Sequence, residues 1–165
     1  MEIFVLDNMI FDKITEDESL YLKILELKNR NKIKLLITSV QAHQLKSMPD
    51  TKKSARELLL EYASQICDMV PAPNFLVGIG RVGIDRIGTS GVIVQLSDEE
   101  RSGKVKVSRN KMNLLTDESI ALTAELYEGF LVTDDGNFTK LVRNKMPVIQ
   151  ILDFQGFSKK LKTYE

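Results

Sequence analysis

The sequence predicts a three-layer α/β domain built round a mainly parallel sheet. Three observations carry that expectation. Short, wholly apolar runs alternate with stretches of helical periodicity along most of the chain. The 165 residues suit one domain, and 43% hydrophobic with 28% charged residues suffices for a core without staples. Acidic residues follow directly on two of the apolar runs, where open parallel sheets place their sites.

The elements follow in order. Ile3–Leu6 is apolar throughout and stops at Asp7, the pattern of a strand buried on both faces. Glu18–Asn29 carries Leu20, Ile24 and Leu27 at helical spacing, with Asp17 or Ser19 as cap, and Asn29-Arg30-Asn31 breaks it. Ile33–Ser39 reads as a second buried strand. Val40–Met48 is a short helix ended by Pro49. Asp50 or Thr51 caps a longer helix over Lys52–Met69, with Cys67 on its apolar side. Pro71 and Pro73 end it. From there to about Asn113 the chain reads as a Gly-rich and basic extended insertion, because five of the nine glycines lie between Gly78 and Gly91. Thr116-Asp117-Glu118 opens a helix that Gly129 stops. Phe130–Thr133 is a strand, Asp134–Asn137 turns into a helix ending near Asn144, and Pro147–Leu152 is the last strand. The division expected is a domain over 1–155, with its insertion at about 71–113, and a loosely held basic tail over 156–165.

Composition excludes several chemistries. Lys and Arg total 23, as do Asp and Glu, so the chain has no net charge and is not a wholesale polyanion binder. Cys67 is the single cysteine and His43 the single histidine, which rules out an internal disulfide, a cysteine-rich zinc site and a multi-histidine metal site. No apolar run approaches the roughly 20 residues of a membrane span. Nothing at the start reads as a signal peptide, so a cytoplasmic setting without a membrane partner is expected. Any metal chemistry must rest on carboxylates.

Asp7, Asp117 and Asp135 suit that role. Their positions can fall on one rim of a parallel sheet, and Mg²⁺ or Mn²⁺ prefers such oxygen ligands. These ions activate a water and stabilise the phosphoryl transition state. The same residues admit plainer readings. Asp117 could sit in a helix's first turn, where the dipole favours an acid. Asp134 or Asp135 could cap the next helix.

Four segments, in this order, resemble the PIN-domain family, which includes the VapC-type toxin ribonucleases. They are Ile3–Phe11, Leu36–Leu45, Thr116–Ala124 and Leu131–Phe138. The resemblance implies a PIN-like three-layer α/β/α fold and a metal-dependent endoribonuclease acting on RNA. It implies catalytic and metal-binding roles for Asp7, Asp117 and Asp135, with Asn137, Asp134 or Gln44 completing the shell round Mg²⁺ or Mn²⁺. It also implies a toxin-like component restrained by an inhibitory protein partner, often as a homodimer. The chain departs from the pattern at Asp7-Asn8-Met9, usually Asp-Thr-Asn. The family's second acid falls on Gln44 and its last on Asn137. An amide keeps the shape of the acid but not its charge. The alternative is therefore a weakened module that serves as an RNA- or protein-binding scaffold.

Arg101, Lys104, Lys106, Arg109 and Lys111 form a run without an acid among them. It reads either as a guide for an RNA backbone or as a solvated segment. Gly78–Gly83 is formally G-x-G-x-x-G, but the Gly- and β-branched-rich sequence behind it does not open the helix a dinucleotide site requires. It reads better as a hairpin tip presenting Arg81 and Arg86 to RNA.

Overall fold

In a computed structural model of the chain, residues 1–46, 53–73, 97–101 and 104–164 are described. The hairpin, with Arg81 and Arg86, and the caps proposed at Asp50 and Thr51 lie outside them. So does the side chain of Arg101.

The chain forms a five-stranded, all-parallel sheet, four of whose strands fall on the apolar runs. Its strands are β1 (Glu2–Leu6), β2 (Ile33–Thr38), β3 (Cys67–Val70), β4 (Phe130–Val132) and β5 (Gln150–Leu152). They lie in the order β3-β2-β1-β4-β5. Register pairs Val5 with Leu36 on one side and with Leu131 on the other. The helices are α1 (Asn8–Glu16), α2 (Glu18–Asn29), α3 (Ser39–Lys46), α4 (Lys53–Ile66), α5 (Asp98–Arg101), α6 (Arg109–Leu126), α7 (Gly136–Lys145) and α8 (Phe154–Leu161).

Two apolar clusters make the three layers. Phe4, Leu6, Leu35 and Ile37 face α1, α2, α4 and α8, whereas Val5, Leu36 and Leu131 face α6 and α7. Successive residues of β1 thus enter opposite cores, as the period of two requires. The crossovers change face between β1 and β4, and there the strand order reverses. The C-terminal ends of these two strands are the switch point of the sheet.

Four elements differ from the sequence reading. Residues 8–16 fold as α1, capped by Asp7 and burying Ile10, Phe11 and Ile14. The long helix stops at Ile66, and Cys67–Val70 joins the sheet beside β2, with Cys67 buried. The helix expected from Thr116 begins seven residues earlier, at Arg109, capped by Ser108. The supposed tail is largely α8. Asp153 caps it through the Gly156 N–H, and Phe157 and Leu161 are fully buried. Lys160 and Tyr164 hold it to Glu2.

α6 ends in a Schellman arrangement that separates two neighbouring residues. Glu128 takes the left-handed conformation, φ 50°, and its N–H donates to Glu125 O. Gly129 donates to Ala124 O at 2.8 Å, and a Cβ on it would meet Ile3 O at 3.0 Å. The glycine is needed for this close approach to β1, not for its own backbone conformation. Gly129→Ala is therefore expected to cost about 1–3 kcal/mol in urea unfolding. Glu128→Gly is expected to be neutral or stabilising by up to about 1 kcal/mol.

Candidate metal centre

Asp7 and Asp135 stand at the switch point because each follows the strand that leads to it. The Asp7 N–H donates to Val132 O at 3.0 Å, which ties the end of β1 to the end of β4. Each carboxylate also caps a helix. Asp7 Oδ1 accepts the Asn8 N–H at 2.6 Å. Asp135 Oδ1 accepts from Asn137 N at 2.8 Å and Phe138 N at 3.0 Å. The plain reading of Asp135 as a cap is thus correct, and it leaves Oδ2 unused by α7.

Thr133 joins the two acids. Its hydroxyl donates to Asp7 Oδ2 at 2.7 Å and accepts the Asp135 N–H at 3.1 Å. Thr133 is buried. The sequence reading included it in the turn without giving it a role. Its signal was its place, two residues before Asp135 at the end of a strand.

Asp117 arrives from the other layer. It does not open a helix: it lies in the interior of α6, two turns past the Ser108 cap. Neither capping nor the N-terminal dipole accounts for it, since that effect fades within the first turn. Burial pushes its carboxyl up to about 7, and the charges of Asp7 and Asp135 add to the rise. Burial also raises Asp7, partly offset by the Thr133 hydroxyl and the Asn8 N–H, and the charges of Asp135 and Asp134 raise it further. The Thr133 hydroxyl and the Asn8 N–H oppose the rise at Asp7, whereas no hydrogen bond among the described residues opposes it at Asp117.

The three carboxylates feel one another but do not close on a single point. Among the described residues, no three His, Cys, Asp or Glu side chains are set to hold an ion by themselves. Nor does any Lys or Arg among them pair with Asp7, Asp117 or Asp135. The donor set is oxygen throughout. It suits a hard cation that keeps several waters and takes one or two carboxylates, with substrate oxygens filling the rest.

Asp134 is engaged elsewhere. Partial desolvation raises its carboxyl, but the Lys13 hydrogen bond, the Phe154 N–H and the Lys13 charge together hold it below the usual range. Oδ2 bonds Lys13, and Oδ1 accepts the Phe154 N–H at 2.8 Å. It latches α1 and α8 to the end of β4.

Gln44 is held at both ends of its amide. Its Oε1 accepts from Asn8 Nδ2 at 2.9 Å, and its Nε2 donates to Thr116 Oγ1 at 2.8 Å. Gln41 extends the ladder, donating to Leu6 O at 2.6 Å and Asn8 Oδ1 at 3.2 Å. This chain of amides joins β1, α3 and α6 beside the acids, over separations no local pattern reveals. Gln44→Glu removes the donor to Thr116 and adds a fourth carboxylate. It is expected to cost the metal-free protein about 1 kcal/mol while tightening Mn²⁺ binding, read by urea unfolding and calorimetric titration. Asn137 is exposed on the first turn of α7.

The basic run is divided. Lys111 bonds both Glu100 oxygens, at 2.9 and 2.8 Å, so its charge is spent on α5. Arg109 lies in the first turn of α6, and Lys104 and Lys106 are exposed in the segment before it. His43 is exposed on α3 and is not one of the acids' partners described above.

Fold and site together define a doubly wound parallel α/β domain with carboxylates at its switch point that no Lys or Arg among the described residues pairs with. No family model matches the chain, and no curated protein does. Among solved structures it is similar to one described as VapBC2 from Rickettsia felis bound to a DNA fragment from their promoter. Identity is 15% and the TM-score 0.49, over 92% of this chain and 98% of that one. No helix among the described residues is long and apolar enough to cross a membrane.

Proposed function

We propose that the protein is a metal-dependent endoribonuclease of PIN-like type. The observation that carries this reading is the grouping of Asp7, Asp117 and Asp135 at the switch point with no pairing Lys or Arg among the described residues, Asp117 being raised by burial and further by its acidic neighbours. Clustered carboxylates, of which Asp7 and Asp117 are half-buried and none pairs with a Lys or Arg among the described residues, repel one another, and a bound divalent ion offsets that cost.

Asp7, Asp117 and Asp135 would hold Mg²⁺ or Mn²⁺, with the Asn137 carbonyl oxygen in reserve. Such an ion, when bound, supplies a water of lowered pKa and charge compensation for the phosphoryl transition state. The chain's own residues do the positioning. The Thr133 hydroxyl fixes the Asp7 carboxylate, and the cap bonds fix that of Asp135, so neither reorganises when substrate arrives. Asp117, near neutrality in the metal-free protein, holds or releases a proton as the site empties or fills. The amide ladder keeps α6 against the ends of β1 and β2. The sequence resemblance adds RNA as substrate, an inhibitory protein partner and a homodimer to the same proposal.

The test is cleavage of single-stranded RNA with Mn²⁺, with EDTA, and with Mn²⁺ restored. Cleavage that follows the metal supports the reading; equal cleavage in EDTA overturns it. One observation favours a second reading, a scaffold that binds RNA without cutting it: the Gln44 amide is satisfied at both ends without any ion. RNA binding with no Mn²⁺ uptake would support the scaffold.

A further inference from the structure

A cleft of about 750 Å³ adjoins the carboxylates at the C-terminal ends of β4 and β5. Thr133, which bonds both Asp7 and Asp135, lines it, and it runs between α7 and α8. Its walls bring together Arg143 and Thr139 of α7 with Phe154 and Gln155 of α8. Phe154 is fixed by its N–H to Asp134 and carries the Lys13 ammonium 5.5 Å from its ring centre. Arg143 is exposed and makes no ion pair among the described residues, although Asp134 and Asp153 line the same cleft. The Thr139 hydroxyl and the Gln155 amide likewise make no hydrogen bond among them. Among the described residues, one concave site thus holds an aromatic ring with an ammonium over it, a guanidinium without an ion pair and two side chains without hydrogen bonds.

We propose that this cleft seats the nucleotide next to the cleaved bond of a single-stranded RNA. Its size suits one nucleotide unit, since ligand sites of this kind span roughly 300–1,000 Å³. A base stacks on Phe154, as bases do on the aromatic platforms of single-strand binders. Arg143 takes the adjoining phosphate, for which its planar fork is matched. Thr139 and Gln155 supply hydrogen bonds to sugar or base edge. The strand then passes from the cleft across Thr133 to Asp7 and Asp135. The position of the cut rests on the nuclease reading; the binding does not.

The experiment measures binding of a short fluorescein-labelled single-stranded RNA to the full chain in EDTA at low salt. Native protein, Arg143→Gln, Phe154→Leu and Lys140→Gln are compared across a salt series. Lys140 is an exposed cation of α7 outside the cleft and reports general electrostatics. Arg143→Gln should weaken binding about fivefold and lower the salt slope by ~0.7. Phe154→Leu should weaken it about fivefold or more. Lys140→Gln should change it less than about twofold. Arg143→Gln, which disturbs no internal contact described above, keeps the test valid should Phe154→Leu fold poorly. Native-like binding by Arg143→Gln, an equal loss with Lys140→Gln, or no RNA binding by the native chain overturns the subsite. Mn²⁺-dependent cleavage by native protein, with KM unchanged in Arg143→Gln, overturns the subsite and spares the nuclease. Selective loss of binding in a chain that never cleaves does the reverse.

Discussion

Asp7→Asn is expected to lower Mn²⁺-dependent cleavage of single-stranded RNA by about 10²- to 10³-fold, the scale of losing one preorganised electrostatic contact to a phosphoryl transition state. The substitution conserves shape and can still cap α1, because an Asn oxygen accepts the Asn8 N–H as Asp7 does. The Thr133 hydroxyl loses a charged acceptor but can turn to the amide oxygen. Folding should therefore survive, and the loss should fall on kcat and on Mn²⁺ affinity together. Unchanged kcat with unchanged metal dependence would remove Asp7 from the site. Asp135→Asn should act in the same direction, since it too keeps its cap bonds while losing charge.

The second large effect concerns pH. The Asp117 carboxyl sits at about 7 in the folded chain against 3.8 as its ordinary value. Below the lower value both folded and unfolded chains hold the proton, and above the higher value neither does. Between them the folded chain keeps a proton that the unfolded chain releases. Stability of the metal-free protein therefore falls as pH rises from about 4 to about 7 and then levels off. Asp117 is half-buried, so screening reduces the full linkage to about 2 kcal/mol. Asp117→Asn should remove most of this slope, leaving the part due to Asp7, and raise the Tm of the metal-free protein at pH 8 by about 4–8 °C. Saturating Mn²⁺ should stabilise the native chain at that pH, by roughly 2.7 kcal/mol at a hundredfold excess over Kd, and the variant much less. The substitution that stabilises the empty protein should thus also abolish cleavage. A native pH profile that Asp117→Asn leaves unaltered would contradict this account of its environment.

The strands that fill the middle of the sheet were legible because each carries a short apolar run, Ile3–Leu6 in β1, Leu35–Ile37 in β2 and Phe130–Val132 in β4. β3 was not. Of Cys67–Val70 only the first and last residues are buried, and they follow a helix without a break. What makes them a strand is pairing with β2, a non-local fact. α8 was hidden by its lysines, although Phe157 and Leu161 stand four residues apart on its buried face. The start of α6 was misplaced because Asp117 resembles an N-terminal acid. It is instead a half-buried acid in a helix interior, close enough to Asp7 and Asp135 to feel their charges. The same holds across the site. Asp7 and Asp135 could be placed from strand ends alone. The Gln44–Asn8–Gln41 ladder and the Asp134–Lys13 latch could not, because each joins residues far apart in sequence.

Crystals soaked in Mn²⁺ would reveal whether Asp7, Asp117 and Asp135 share a divalent cation. An anomalous peak is expected at the switch point, about 2.1 Å from carboxylate oxygens of at least two of the three acids, and should be lost in Asp7→Asn. A peak confined to other surfaces, or none at the switch point under saturating Mn²⁺, would contradict a shared cation.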